Sequence, residues 1–160
     1  VLVDLQVRLE PVVYELSCLK PANATKEVIS PLVSEITVII HDSVTLLNGL
    51  VGRPVEEILV AVDGTAQIAV GDLAALVGGI LNLLFSACGG LIGLVGIDVA
   101  LVISLLAPIG SAIGLLLEIV LKLVGDVLGD IVGAILALIG DIVPIILKLS
   151  VSVCISIFGL

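Results

Sequence analysis

The chain contains little of what binding and catalytic chemistry usually requires. Its 160 residues include no methionine, no tryptophan, one histidine and one tyrosine, and lysine and arginine together number 6. A nucleic-acid partner needs a basic surface, so this composition argues against one. The formal net charge of −9 also argues against electrostatic docking on anionic lipid headgroups. The missing methionine, which extends to position 1, predicts a processed product that has lost a signal or pro-segment.

Motifs for catalysis are also missing from the sequence. His41 lies beside Asp42 and near Ser43, but adjacent residues on a helix point in different directions, so we expect a solvated or capping histidine. Glu56 and Glu57 are expected to be charges at a helix start. No phosphate-binding loop, dinucleotide fingerprint or metal-ligand cluster occurs. We therefore predict that the protein is not an enzyme and holds no cofactor and no metal.

What the chain does contain is apolar surface in great excess. Hydrophobic residues make up 60% and charged residues 13%, against roughly 45–50% and about 25% in ordinary globular domains. No charge occurs between Asp72 and Asp98, and few occur from there to Leu160. Such a segment has more apolar surface than its polar residues can cover. It is expected to enter a bilayer, to pack against copies of itself, or to surround lipid.

Periodicity predicts an all-α fold of about six to seven very hydrophobic, glycine-rich helices in a compact or assembly-dependent bundle. Residues 1–71 form an amphipathic helical part and residues 72–160 an extremely apolar one, packed together as a single domain. Predicted helices cover residues 1–20, with a kink or a start near Pro11, 25–48, with an alternative start at Ser30, 54–70, 72–88, 91–107, 108–139 and a last one to Phe158. The breaks between the later helices are predicted at Gly89-Gly90, Pro108, Gly140-Asp141 and Pro144.

Helical spacing also predicts which faces of the first two helices are buried. The apolar face of the first helix is expected at Leu5, Leu9, Val12 and Leu16, and that of the second at Val28, Leu32, Ile36, Ile39 and Leu46. The polar positions of the second helix are expected at Glu27, Ser34, Glu35, His41, Asp42 and Thr45.

One pattern in the apolar part suggests helix contacts. Charged residues recur every four positions and are expected to form a polar stripe: Glu118, Lys122, Asp126 and Asp130. Glycines with the same spacing lie beside that stripe, and small residues four apart let helix backbones approach closely. The candidate contact residues are Gly125, Gly129 and Gly133, with weaker pairs at Gly89/Gly93 and Gly110/Gly114.

Two further features fit a secreted protein. Asn23 begins an N-glycosylation sequon in the most loop-like part of the chain. Cys18, Cys88 and Cys154 are widely spaced, so a metal site is not expected. They are disulfide candidates with no preferred pairing, or else buried small hydrophobes.

Three functions remain open at this point. The first is a secreted structural protein that self-assembles through apolar helices into a fibre, film or coat at a cell surface or air–water interface, with itself as main partner and lipid as a candidate second one. The alternative is a small polytopic membrane protein, although there is no interfacial aromatic belt. The second alternative is a lipid carrier, which predicts a closed monomer with a cavity.

Several short segments resemble a known family. They are Leu9-Glu10-Pro11, Leu16, Pro21-Ala22-Asn23-Ala24-Thr25, Pro31-Leu32-Val33, Leu106-Ala107-Pro108, Gly114-Leu115 and Val143-Pro144-Ile145-Ile146-Leu147-Lys148. These are similar to segments in the small hydrophobic secreted proteins of mushroom-forming fungi. The resemblance implies a signal-cleaved protein of the cell wall and extracellular matrix that contributes to aerial growth and attachment. It brings no catalytic residues.

Overall fold

The part of the chain that the structure describes is built of helices. The computed structural model describes residues 2–22, 25–52, 70–94, 98–124, 131–149 and 151–159. These residues form no strand, which confirms the predicted all-α class. The helices are α1 (Leu2–Ser17), α2 (Lys26–Asn48), α3 (Val70–Ile92), α4 (Val99–Val124), α5 (Ile131–Leu138), a 3₁₀ turn (Gly140–Ile142), α6 (Val143–Lys148) and α7 (Ser152–Phe158). The helix predicted over residues 54–70 falls almost entirely outside the described residues.

Local signals explain where several helices begin. Asp98 precedes α4, and its Oδ1 accepts a hydrogen bond from the Leu101 backbone N–H at 3.2 Å, which satisfies a donor that the first turn leaves free. Thr25 is the N-cap of α2, so the predicted start there is confirmed and the alternative at Ser30 is wrong. Pro144 lies in the first turn of α6, where a missing N–H costs nothing.

The helix break predicted at Gly89-Gly90 is wrong, because α3 continues through both residues. The neighbouring side chains of Cys88 and Leu91 are both buried, so the apolar stripe is unbroken there. A Cβ atom at Gly89 would collide with the Ile145 side chain of α6. The helix therefore accepts about 1 kcal/mol of lost propensity per glycine and gains close packing against α6.

The helix start predicted at Pro108 is also wrong. The continuous helix α4 (Val99–Val124) crosses the boundary predicted between two helices, and Pro108 lies in its interior. Leu106, Ile109 and Ile113 are fully buried, so the buried stripe runs past the proline, which is itself exposed. Proline costs a helix interior about 3 kcal/mol, and burial of two or three aliphatic side chains is enough to offset that cost.

The helices pack in a bundle in which α1 lies between α2 and α3. Helix α2 packs most extensively along α4, and α3 packs along α5. The short α6 packs on α3, and α7 packs on α4 and α5. An ion pair of 3.2 Å from Arg8 Nη2 to Asp42 Oδ2 joins α1 to α2 at the surface. Each amphipathic N-terminal helix therefore covers one of the two long apolar helices.

The predicted buried face is right for α1 and rotated for α2. Leu5, Leu9, Val12 and Leu16 of α1 are all buried. In α2 the predicted polar positions are all exposed, but the buried residues are Ile29, Val33, Ile36, Ile39, Ile40, Ser43 and Leu47. Of the predicted apolar face, Val28 and Leu32 are half-buried and Leu46 is 60% exposed. The face turns by about one residue because α2 must contact both α1 and α4.

The two long apolar helices keep most of their aliphatic side chains inward. The exposed positions between Leu73 and Ile92 in α3 are Ala75, Ser86 and Gly90. On α4 the exposed face carries Ser104, Ala107, Pro108, Ser111, Glu118 and Lys122 beside Val99, Ala100, Leu101 and Leu115. The accessible surface of 7554 Å² is close to the ~7,500 Å² expected of a compact monomer of this mass. Much of the excess of apolar residues is therefore buried within the chain itself.

Candidate binding groove between the first and third helices

A groove of about 880 Å³ runs between α1 and α3 and is open to the surface. From α1 it is lined by Gln6, Glu10, Pro11, Val13, Tyr14 and Ser17, and from α3 by Gly79, Asn82, Leu83, Ser86 and Ala87. This volume lies in the range of small-molecule sites, about 300–1,000 Å³. An apolar floor with a few polar groups along it is also typical of such sites.

Helical spacing brings the polar groups of α1 onto the groove. Gln6, Glu10 and Tyr14 are four residues apart, so they lie one above another on the same face. Two buried residues, Val13 and Ala87, contribute to the lining from the two helices. The groove is therefore amphipathic, with polar groups supplied mainly by α1.

Two residues of α3 shape the opposite wall. A Cβ atom at Gly79 would meet only Gln6 Nε2, at 3.6 Å, so the missing side chain leaves space beside α1. Asn82 Nδ2 donates a hydrogen bond of 3.2 Å to the Leu138 carbonyl oxygen at the end of α5. That bond satisfies one of the carbonyls that a helix end leaves free, and it fixes the amide at the edge of the groove.

The groove offers hydrogen bonds and one negative charge. Glu10 supplies the charge, and Tyr14, Ser17 and Ser86 supply hydroxyl groups. A hydrogen bond with Cys18 raises the pKa of Tyr14, and electrostatic interaction with the same residue and desolvation raise it further. Tyr14 is therefore a neutral hydroxyl at physiological pH. These groups suit binding of amines and hydroxyls. None of the described lining residues is a histidine or cysteine that would serve as a base or nucleophile.

The residues predicted from sequence lie elsewhere. Glu118 and Lys122 are both exposed on one face of α4, and Gly133 is exposed on α5. The remaining members of the predicted stripe and glycine contact, together with the glycosylation candidate, lie outside the described residues: Asp126, Asp130, Gly125, Gly129 and Asn23. Their roles therefore stay predictions.

The three cysteines are free thiols in the structure. Cys18 is exposed just after α1, whereas Cys88 and Cys154 are buried. Burial raises the pKa of Cys88 to about 12 and that of Cys154 to about 11. Both buried thiols are therefore protonated at neutral pH and pack as small hydrophobic groups.

No group of metal-ligating side chains occurs among the residues that the structure places. His41 is exposed on α2, in agreement with the expectation of a solvated histidine.

Sequence analysis missed the groove, although the sequence carries a signal for it. The four-residue spacing of Gln6, Glu10 and Tyr14 is visible in the first helix. Asn82 and Ser86 are also four apart, inside a long uncharged segment where polar residues are rare. What the sequence does not show is that α1 and α3 are neighbours, because residues far apart in the chain make that contact.

Comparisons with protein families, with characterised proteins and with solved structures give no match to this chain. The resemblance to the hydrophobic fungal proteins therefore stays a prediction, and function must be argued from the residues.

Proposed function

We propose that the protein is a secreted structural protein that self-assembles through apolar surface into a fibre, film or coat at a cell surface or air–water interface. The observation that carries this proposal is the orientation of the two most apolar helices. Most of their aliphatic side chains point into the chain's own core, and small or polar residues occupy most outward positions of α3 and α4. The chain can therefore hold its fold in water while keeping a modest amount of apolar surface for assembly.

That orientation is the reverse of what lipid contact requires. A helix facing acyl chains carries aliphatic residues outward, and charged residues there are costly. On α4, Leu115 is flanked on the exposed face by Ser111 and Glu118, with Lys122 one turn beyond Glu118. This face fits water or a protein partner better than a bilayer.

Surface for self-assembly is available on several helices. The exposed large apolar residues are Val7, Tyr14, Val38, Leu46, Val51, Val99, Leu101, Leu115, Leu138 and Leu147. Distributed contacts of this kind suit a polymer, in which each copy meets more than one neighbour. The net charge of −9 keeps such a surface dispersed until conditions favour association.

The direct test is isolation of the native protein without detergent, followed by negative-stain imaging and lipid extraction of the same sample. Uniform particles or fibres in plain buffer are the expected result. Precipitation that only detergent or bilayers reverse would overturn the proposal. A stable lipid-loaded monomer would instead favour the carrier hypothesis, which needs an enclosed cavity rather than the open groove described above.

A matched pair of variants locates the assembly surface. Leu115, which is 46% exposed, and Ser111 lie one turn apart on the exposed face of α4. Leu115→Glu should shift sedimentation toward monomer, because it replaces apolar contact area with a charge. Ser111→Glu adds the same charge without removing an aliphatic side chain and should leave assembly nearly unchanged. Equal behaviour of the two variants would remove Leu115 from the contact.

The membrane hypothesis retains one observation in its favour. Three helices of the described residues are long and apolar enough to cross a bilayer: Lys26–Asn48, Leu73–Ile92 and Val99–Leu123. The segments Ile131–Leu138 and Gly140–Lys148, bent by 69°, would make a fourth as a broken span. The buffer-solubility experiment separates this candidate function from the proposed one.

A further inference from the structure

We propose that the groove between α1 and α3 binds a cationic amphiphile whose head carries an amine with neighbouring hydroxyl groups, as in a long-chain amino alcohol. This inference does not depend on self-assembly, because the groove lies within a single chain. It assigns a ligand class to a groove that the proposed structural role does not require.

The size and the floor of the groove define the body of the ligand. A volume of about 880 Å³ is ample for one aliphatic chain with its head group. Pro11, Val13, Leu83 and Ala87 give the chain an apolar surface to cover. Val13 and Ala87 are almost fully buried, at 2% and 5% exposure, so they form a fixed floor.

The polar lining defines the head group. Among the described residues that line the groove, Glu10 is the one ionisable carboxylate and none is a lysine or arginine. An ammonium group gains a charge-assisted hydrogen bond from such a carboxylate, whereas a carboxylate or phosphate head would be repelled. Tyr14, Ser17 and Ser86 each donate and accept hydrogen bonds, which suits hydroxyl groups beside the amine.

The chain carries its own reporter for this site. Tyr14 lines the groove and is the single tyrosine of a protein without tryptophan. Tyrosine fluorescence therefore reports occupancy of the groove without an added label. The probes are dodecylamine, dodecanol and dodecanoate, which share one tail and differ in the head, each titrated below its micelle-forming concentration.

Dodecylamine is expected to bind most tightly, dodecanol less tightly and dodecanoate least. Glu10→Gln should weaken dodecylamine about fivefold, the value of one exposed ion pair, and leave dodecanol unchanged. Glu15→Gln is the matched control, since it removes the same charge from an exposed position of α1 that does not line the groove. Equal affinity for the three heads, tightest binding of dodecanoate, or equal effects of the two variants would overturn the proposal.

A second pair of variants tests the location independently of charge. Gly79→Leu fills the groove beside Gln6 and should abolish the fluorescence response to every probe. Gly90→Leu adds the same side chain to the same helix, where a Cβ atom meets nothing within 4 Å, and should retain it. Far-UV circular dichroism verifies that both variants are folded. An unchanged response in folded Gly79→Leu would overturn the site. A fluorescence change that follows protein concentration without any probe, and that Gly79→Leu abolishes, would also overturn it, since a second copy would then occupy the groove.

Discussion

At the scale of single residues, two of the described glycines, Gly89 and Gly110, leave no room for a Cβ atom beside a neighbouring side chain. A Cβ atom at Gly110 of α4 would lie 2.8 Å from Cγ2 of Val151, and valine has little freedom to turn away because its χ1 angle is stiff. At Gly89 the obstructing group is the Ile145 side chain, whose Cδ1 end can rotate. Gly110 is therefore the less replaceable of the two.

We expect Gly110→Ala to lower the free energy of unfolding by about 1–3 kcal/mol relative to Gly90→Ala. Both changes gain the same helix propensity, so that contribution cancels in the comparison. Gly90 is the control because a Cβ atom there meets nothing within 4 Å. Urea unfolding followed by circular dichroism gives both values. If the two variants were equally stable, Gly110 and Val151 would not be in close contact.

Spacing in the sequence identified these glycines only in part. Gly89/Gly93 and Gly110/Gly114 were paired by their four-residue separation, yet a Cβ atom at Gly93 would meet only carbonyl oxygens of its own helix, the nearest that of Gly89 at 3.3 Å. Gly89 packs against Ile145 of α6 and Gly110 against Val151, which lies between α6 and α7. Spacing within one helix carries no information about such neighbours. The groove at Gly79 could not be predicted for the same reason, because it depends on the packing of α1 against α3.

At the scale of helices, tertiary burial overrode two local signals. Gly89-Gly90 and Pro108 are strong helix breakers on propensity, and both lie inside continuous helices. Where local signals coincide with helix ends instead, prediction succeeded: Thr25 is the N-cap of α2 and Pro144 lies in the first turn of α6. A residue of low helix propensity at a helix end is compatible with the packing of that helix. At the centre of a buried stripe, the burial of the surrounding side chains outweighs the low propensity, and the helix continues.

We expect Pro108→Ala to raise the free energy of unfolding by about 1–3 kcal/mol. Alanine restores the N–H that an interior helical residue donates, and it removes the ring's clash with the preceding turn. Because Pro108 is exposed, little core packing is lost. Pro144→Ala is the control, since proline in the first turn is already favourable and its removal should give no gain. Thermal unfolding measures both, and destabilisation by Pro108→Ala would mean that α4 relies on a bend at this position.

At the scale of the whole molecule, apolar surface favours association between copies, whereas the net negative charge opposes it. The chain buries a continuous apolar core that includes residues from each of the helices described above, and this accounts for much of a hydrophobic content of 60%. Composition alone predicted that the segment from Leu73 onward could not be covered without a bilayer, lipid or other copies. Composition does not reveal that α1 and α2 pack over the two long apolar helices. Because they cover part of that apolar surface, the chain needs less cover from lipid or other copies than its composition indicates.

Charge should then control association. Asp and Glu number 15 against 6 Lys and Arg, and carboxyl groups take up protons near pH 4, so lowering the pH from 7 toward the pI of about 4.2 removes the self-repulsion. We expect light scattering and sedimentation to show growing assemblies as the pH falls. Salt at pH 7 should act in the same direction, because it shortens the Debye length from about 10 Å at 0.1 M to about 3 Å at 1 M. If assembly depended on neither pH nor salt, contact geometry alone would limit it. If the protein were insoluble at every pH without detergent, it would belong in a bilayer.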